Sequence, residues 1–76
     1  MGADEIDLLV AWGGRLVAVE VKTLVGRDPA EEFTPAKAAR FRRAGLSLRL
    51  VPVRFDLVTV CVRRDGVGLR WLPGVC

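Results

Sequence analysis

The alternation of apolar and polar positions divides the chain into four apolar segments and one amphipathic segment. Four segments have the length and apolar content of β-strands: residues 6–12, 15–23, 54–63 and 67–72. Gly13-Gly14 separates the first two and Asp65-Gly66 separates the last two, and both pairs suit tight hairpin turns. The pattern therefore predicts two β-hairpins.

The segment between the hairpins has the signals of a single α-helix. Thr34 is a good N-cap, and Pro35 suits the first helical position. The helix is predicted to continue to about Leu48. One apolar stripe runs along it: Ala38, Phe41, Gly45 and Leu48. The order β-β-α-β-β predicts an α/β fold, in which a mixed four-stranded sheet packs against one main helix.

The first hairpin brings charged residues together at the open end of its strands. A two-residue turn at Gly13-Gly14 fixes the register, which sets Asp7 directly opposite Glu20. Cross-strand neighbours have Cβ atoms roughly 5 Å apart. The register predicts a charged cluster of three carboxylates and one lysine on one face: Glu5, Asp7, Glu20 and Lys22.

This charged cluster has two interpretations, which spacing alone supports equally. Facing carboxylates repel each other, and a divalent cation bound between them reverses that effect. On the first interpretation Asp7 and Glu20 hold Mg²⁺, or Mn²⁺ as a substitute, and Lys22 positions an attacking water. On the second, Lys22 forms a salt bridge with Glu5, while Asp7 and Glu20 reach solvent at the end of the sheet.

The two faces of the first hairpin differ in polarity. The face opposite the charged cluster is entirely apolar and is predicted to be core: Ile6, Leu8, Val10, Val17, Val19 and Val21. The charged face continues as apolar surface through a second set: Leu9, Ala11, Leu16 and Ala18. A single helix covers only one face of a sheet, so a sizeable apolar patch remains on the other. We therefore expect a homodimer that covers this patch.

Composition narrows the classes of chemistry. The 76 residues contain no histidine, which excludes catalytic triads and histidine-ligated zinc. Cys61 and Cys76 match no thiolate metal site. No apolar run is long enough to span a membrane and no signal peptide is recognisable, so a soluble, cytoplasmic protein is expected. The net charge of +3 is a weak indication of a polyanionic partner.

Two short motifs complete a known signature. The segments EIDLL and VEVK supply an Asp…Glu-x-Lys pattern, which resembles that of the PD-(D/E)xK nuclease superfamily with its restriction-endonuclease-like fold. The resemblance narrows to the YraN-type family of predicted endonucleases through further segments in the same order: PAE at Pro29 to Glu31, KAARF at Lys37 to Phe41 and RFDLVTV at Arg54 to Val60. These segments cover nearly the whole chain.

The resemblance implies a role for each matching residue. Asp7 and Glu20 would be metal ligands, and Lys22 would be the catalytic lysine. Glu5 would support these ligands from behind or bind a second metal ion. A basic pair on the helix is expected to contact nucleic-acid phosphates: Lys37 and Arg40.

The function implied by the resemblance is Mg²⁺-dependent hydrolysis of phosphodiester bonds in DNA, including structured or branched DNA. The chain departs from the family pattern, because it lacks the preceding helix and the histidine near the end of the pattern. We therefore expect a single truncated nuclease-like domain over residues 1–76. Two alternatives remain: a catalytically inactive nucleic-acid-binding or assembly module of the same fold, and a fragment of a longer chain.

Four further residues have local interpretations. Asp56 either joins the charged cluster or pairs with Arg54, which is close to it in sequence. Trp12 and Trp71 are expected in the core or in an interface rather than as platforms on which bases stack. Cys61 is expected in the core.

Overall fold

A computed structural model describes residues 6–76 of the chain. It contains four strands and one α-helix: β1 Leu8–Trp12, β2 Arg15–Val25, α1 Pro35–Leu46, β3 Arg54–Arg63 and β4 Gly66–Leu72. A 3-10 turn, Pro29–Glu32, lies between β2 and α1. The predicted order β-β-α-β-β and the α/β class are therefore confirmed.

The four strands form one mixed sheet in the order β1-β2-β3-β4. β1 is antiparallel to β2, and Trp12 faces Arg15 across the Gly13-Gly14 turn, as the sequence predicts. The two glycines have φ values of 59° and 78°, and a two-residue hairpin turn of this kind requires positive φ. β2 and β3 run parallel, connected through α1, and β4 returns antiparallel to β3.

Three strand boundaries differ from the sequence prediction, and one of them is the end of β2, which continues to Val25 rather than ending at Thr23. β1 begins at Leu8 rather than at Ile6, which packs instead against the core on the helix side. The second hairpin turn consists of residues 64–65, because Gly66 already pairs with Arg63. None of these shifts changes the pairing of the first hairpin, which follows the predicted register from Leu8 to Trp12.

The start of α1 follows the sequence prediction. The Thr34 hydroxyl accepts a hydrogen bond from the Lys37 backbone N–H at 3.3 Å, and Pro35 occupies the first turn. Thr34 thereby satisfies one of the backbone donors that a helix leaves unpaired at its start. Within residues 6–76, no helix is long and apolar enough to cross a membrane.

The apolar stripe of α1 is offset from the predicted one. The helix ends at Leu46, so Leu48 lies beyond it, and Ala38 is only half-buried. The buried positions of the helix are Phe41, Ala44 and Gly45. Glycine is required at position 45, because a Cβ atom there would overlap the ring of Phe55. The missing side chain lets the helix backbone lie directly on the sheet.

The helix packs on the charged face of the hairpin. Ala18, Phe41 and Phe55 form the buried cluster between α1 and the sheet, and the two phenylalanine rings meet edge to face at 5.2 Å. Paired residues of parallel strands point to the same side. Ala18 pairs with Phe55 and Glu20 pairs with Leu57, so the carboxylate of Glu20 lies on the helix side of the sheet.

The prediction that the entirely apolar face is core is wrong for part of that face. Val17 and Val19 are buried, but Leu8 and Val10 remain 53% and 38% exposed. The reason is topological. A parallel crossover is right-handed in nearly all proteins, so the path of the chain, and not local polarity, decides which face the helix covers.

Large apolar side chains line the uncovered side of the sheet, which we call the open face. They come from the two edge strands: Leu8, Val10 and Trp12 of β1, and Val67, Leu69 and Trp71 of β4. Trp12 and Trp71 reach over the central strands and stack with their ring centroids 5.6 Å apart. The Arg54 guanidinium lies 5.4 Å and 5.5 Å from these two rings. This stack closes one end of the open face and leaves the rest of it uncovered.

Candidate functional site

The described part of the charged cluster forms where the chain enters β1 beside the middle of β2. Asp7 immediately precedes β1, and its Oδ2 accepts a hydrogen bond from the Val21 backbone N–H at 2.8 Å. This bond holds the Asp7 carboxylate next to Glu20, the residue that the predicted register sets opposite it. The register itself is confirmed along the whole of β1.

Glu20 and Lys22 are two residues apart on β2 and point to the same side of the sheet. Lys22 Nζ lies 3.1 Å from Glu20 Oε2, and the two side chains are 30% and 17% exposed. Partial burial raises the pKa of the Glu20 carboxyl above its ordinary value, and the Asp7 carboxylate raises it further. The hydrogen bond from Lys22 opposes both effects. The pair of carboxylates therefore favours additional positive charge.

The two carboxylates fit a hard divalent cation. Asp7 uses one oxygen for Val21 and Glu20 uses Oε2 for Lys22, so each keeps a second oxygen. Mg²⁺ is usually held by one or two carboxylates, with waters and substrate phosphates as the remaining ligands. Among residues 6–76, no three or more carboxylate, thiol or imidazole side chains form a metal-binding group. Glu5, the further ligand and alternative salt-bridge partner expected from the sequence, lies outside the described residues.

The predicted basic pair on α1 lies on the same side of the sheet as the carboxylates. Lys37 is half-buried and Arg40 is exposed, and neither pairs with a carboxylate in the described part of the chain. The guanidinium of Arg42, in contrast, lies 5.7 Å from the centre of the Phe55 ring and covers the core. Phosphate contact by Lys37 and Arg40 stays a prediction.

Asp56 belongs to the open face and not to the carboxylate pair. It pairs in register with Val19, whose side chain points away from Glu20, and it is 1% exposed. Its carboxylate accepts hydrogen bonds from three partners: Arg54 (Nε and Nη2, both 2.9 Å), Trp71 Nε1 (2.8 Å) and the Gly74 backbone N–H (3.0 Å). Burial acts to raise the pKa of Asp56, but these bonds outweigh it and hold the pKa below its ordinary value. The predicted local pairing with Arg54 is confirmed.

A second polar group on the helix side was not foreseen from the sequence. Asp28, at the start of the 3-10 turn, accepts a hydrogen bond from the Ala30 backbone N–H at 2.9 Å and one from Arg70 Nη1 at 2.6 Å. The Ala30 bond contributes most to lowering the pKa of Asp28. Thr59 lies beside Arg70 on β3 and pairs with Lys22 on its other side. The alternation of side chains along β4 predicts which face Arg70 points to. The parallel pairing that sets Thr59 beside Lys22 joins two strands separated by α1, and no local sequence signal predicts it.

Similarity to known proteins covers most of the chain. A family model described as Uncharacterised protein family UPF0102 matches residues 1–60. The chain belongs to this family. UPF0102 proteins of Symbiobacterium thermophilum, Roseiflexus castenholzii and Solibacter usitatus are 45%, 39% and 40% identical to it, over 71, 83 and 84 aligned positions. No solved structure matches the chain.

The alignments to these UPF0102 proteins cover 82%, 93% and 96% of the chain, but only 60%, 67% and 61% of the three relatives. The chain thus spans about three fifths to two thirds of their length. Family membership confirms the YraN-type resemblance at the level of the family. Membership of a nuclease superfamily, and any activity of the whole protein, are proposals.

Proposed function

We propose that this UPF0102 chain carries the reaction centre of a metal-dependent nuclease of the PD-(D/E)xK type, which hydrolyses phosphodiester bonds in DNA. One observation supports this most directly. Asp7 and Glu20 lie together on one side of the sheet with Lys22 beside them, although the two carboxylates repel each other. A cation bound between the carboxylates, together with an anionic substrate beside Lys22, would stabilise such a cluster.

Each residue of the cluster has a role that its contacts allow. Asp7 and Glu20 would hold Mg²⁺, or Mn²⁺ in its place, through their remaining carboxylate oxygens. Such an ion would supply a water of lowered pKa and positive charge to offset the charge that develops on the phosphate. Lys22 has three N–H donors and uses one of them for Glu20, so two remain for a water or a phosphate oxygen. The Val21 backbone N–H fixes the position of Asp7 throughout.

The direct test is cleavage of a panel of single-stranded, duplex, flap and four-way DNA, with Mg²⁺, Mn²⁺ or EDTA. We expect metal-dependent cleavage by the wild type and its loss in Asp7→Asn and Lys22→Met. Asp65→Asn, in the second hairpin turn, is the matched control because it removes the same charge from an exposed position. Cleavage that continues in Asp7→Asn would show that the carboxylate pair is not the reaction centre.

A second candidate function is a catalytically inactive nucleic-acid-binding or assembly module. It is favoured by the small number of ligands, because two carboxylates and no larger metal-binding group converge in the described part of the chain. On this alternative, DNA binds with or without a metal and is never cleaved. The same DNA panel, read by band shift as well as by product formation, separates the two candidates.

We also propose that the open face is covered by a second copy of the chain. Trp12, Leu69 and Trp71 are 58%, 71% and 49% exposed there, which is unusual for large apolar side chains clustered on one side of a sheet. A two-fold axis makes such a face its own partner. The edge strands carry no charged side chain on this face. The arginines that the central strands place there are Arg54, which is paired with Asp56, and Arg15, which lies at the hairpin end of the face.

Sedimentation at micromolar concentration tests the dimer. We expect twice the monomer mass for the wild type and the monomer mass for Leu69→Lys, which introduces a charge into the interface. A monomeric wild type would refute self-association through the open face and would leave that face for a different partner.

A further inference from the structure

Beside the carboxylate pair, on the same side of the sheet, lies a cleft of about 160 Å³ between β3, β4 and the 3-10 turn. We call it the Arg63–Arg70 cleft. Six residues line most of its wall: Asp28, Thr59, Cys61, Arg63, Gly68 and Arg70. A water molecule occupies about 30 Å³ in the liquid, so the cleft has room for a group considerably larger than water.

The position of the cleft relates it to the reaction centre. Thr59 pairs with Lys22 on one side and with Arg70 on the other, so the three side chains form a row across the helix side of the sheet. Neighbouring strands are about 4.8 Å apart, which sets Arg70 roughly 10 Å from Lys22. Phosphates advance by about 3.4 Å per nucleotide along one strand of a duplex. The cleft is therefore a few nucleotides away from a phosphate at Lys22.

The cleft is cationic, with two arginines and one carboxylate. Asp28 takes one N–H of Arg70, while a guanidinium has five N–H donors, so donors of Arg70 remain for a ligand. Arg63 pairs with no carboxylate among residues 6–76. Asp28 itself is engaged by the Ala30 backbone and by Arg70, and it serves to orient the arginine.

Gly68 gives the cleft its shape. Arg63 Nη1 lies 3.3 Å from the place where a Cβ atom of residue 68 would stand, so the guanidinium rests against the bare backbone of β4. A Cβ atom at position 68 would require this guanidinium to give way by a few tenths of an ångström, and a bulkier side chain would displace it further. Both the charge and the shape of the cleft therefore depend on specific residues.

We propose that the Arg63–Arg70 cleft binds a phosphate of the DNA strand, a few nucleotides from the bond that the Asp7–Glu20 site attacks. This inference rests on the proposed function, because it takes DNA as the ligand. Arginine is suited to the task, since its planar donors match two phosphate oxygens at once. The cleft then fixes the direction of the strand across the sheet and the distance from the bound phosphate to the reaction centre.

The experiment measures binding separately from cleavage. Affinity for a short fluorescein-labelled DNA duplex and for its single strand is followed by anisotropy over a series of KCl concentrations, with Ca²⁺ replacing Mg²⁺ to prevent turnover. The variants are Arg63→Gln, Gly68→Ala and the control Arg64→Gln, which removes the same charge from the neighbouring turn. Thermal midpoints confirm that each variant is folded.

A plot of log affinity against log salt concentration has a negative slope, and the loss of one phosphate contact decreases the magnitude of that slope by about 0.7–0.9. We expect this decrease, and a several-fold weaker affinity, for Arg63→Gln but not for Arg64→Gln. Gly68→Ala should weaken binding too, although its charge is unchanged. Equal slopes for Arg63→Gln and Arg64→Gln would overturn the inference, and so would a wild type that binds neither DNA.

Cleavage by the same proteins distinguishes this inference from the proposed function. If the wild type binds DNA through Arg63 but cleaves no DNA in Mg²⁺, phosphate binding by the cleft is supported and the nuclease activity is refuted. If the wild type cleaves DNA, and substitution of Arg63 or Gly68 leaves the affinity unchanged, the nuclease activity is supported and phosphate binding by the cleft is refuted.

Discussion

Replacing Asp7 by asparagine removes one charge from the carboxylate pair and keeps the shape of the side chain. The amide oxygen of asparagine is able to accept the hydrogen bond that Asp7 Oδ2 now receives from the Val21 backbone N–H. The substitution therefore changes the electrostatics without loosening the start of β1. We expect two opposite results: a more stable protein without metal, and a smaller stabilisation by Mg²⁺.

The size of the first effect follows from the charges. Two unit charges ~4 Å apart interact by about 1 kcal/mol in water and about 4 kcal/mol at an effective dielectric constant near 20. Asp7 is exposed and Lys22 already offsets part of the repulsion, so the low end applies. We expect a gain of about 0.5–1 kcal/mol in the free energy of unfolding. For a domain of this size it corresponds to a thermal midpoint roughly 2–8 °C higher.

The second effect is larger and opposite in sign. A ligand at 100 times its dissociation constant stabilises the folded state by about 2.7 kcal/mol. The wild type should therefore overtake the variant as Mg²⁺ is added, because the variant has lost one of the two carboxylate ligands. The order of the two thermal midpoints should reverse during the titration.

Thermal unfolding followed by circular dichroism, in EDTA and over a Mg²⁺ titration, measures both effects. Asp65→Asn is the control for the loss of one negative charge, and its response to Mg²⁺ should equal that of the wild type. Equal responses of wild type and Asp7→Asn would refute the metal site. The charged cluster would then be an ion pair at the end of the sheet and nothing more.

Three further predictions test the surroundings of the site. Mg²⁺ affinity, measured by calorimetry, should fall as the pH drops through the raised pKa of Glu20, because protonation removes a ligand. The Asp56→Asn variant should lose about 2–3 kcal/mol in urea unfolding, since a buried carboxylate oxygen that accepts from Arg54 and Trp71 would be replaced by an amide donor. Because the pKa of Asp56 is lower in the folded than in the unfolded protein, its carboxylate stabilises the fold at pH values above the unfolded pKa of about 3.9. This stabilisation should be lost as the pH falls below that value towards the folded pKa, and Asp56→Asn should not show the loss. Gly45→Ala should destabilise by about 1–3 kcal/mol in thermal unfolding, because the added Cβ meets Phe55, although alanine is the better helix former.

The sequence allows the carboxylate pair to be predicted because the information is local. Gly13-Gly14 specifies a two-residue turn, the turn fixes the register of Leu8–Trp12, and this register brings Asp7, just before β1, beside Glu20. The start of α1 is predictable for the same reason, since Thr34 and Pro35 act within one turn of the helix. Such features need only a few consecutive residues and no knowledge of distant contacts.

Features that depend on the parallel pairing of β2 with β3 could not be predicted in the same way. The helix-covered face is one of them: polarity favours the valine-rich face, but the crossover covers the face of Ala18. The row from Lys22 through Thr59 to Arg70 is another. Both depend on how β3 aligns with β2, two strands that are separated in sequence by α1. A shift of one residue in this alignment would move every side chain of β3 to the opposite face of the sheet.

The position of the carboxylate pair relative to the open face leads to a last prediction about the dimer. Glu20 and Lys22 point to the helix side, and Leu69 points to the open face, so one sheet separates them. Packed sheets lie about 10 Å apart, and in a dimer joined through the open face the two reaction centres would face outwards in opposite directions. They could not act on the same phosphodiester bond. Val10→Lys, on the same open face but outside the Arg63–Arg70 cleft, should therefore abolish the dimer in sedimentation while each chain cleaves DNA at the wild-type rate. A loss of cleavage in a folded Val10→Lys monomer would mean that the reaction centre is completed by the second copy.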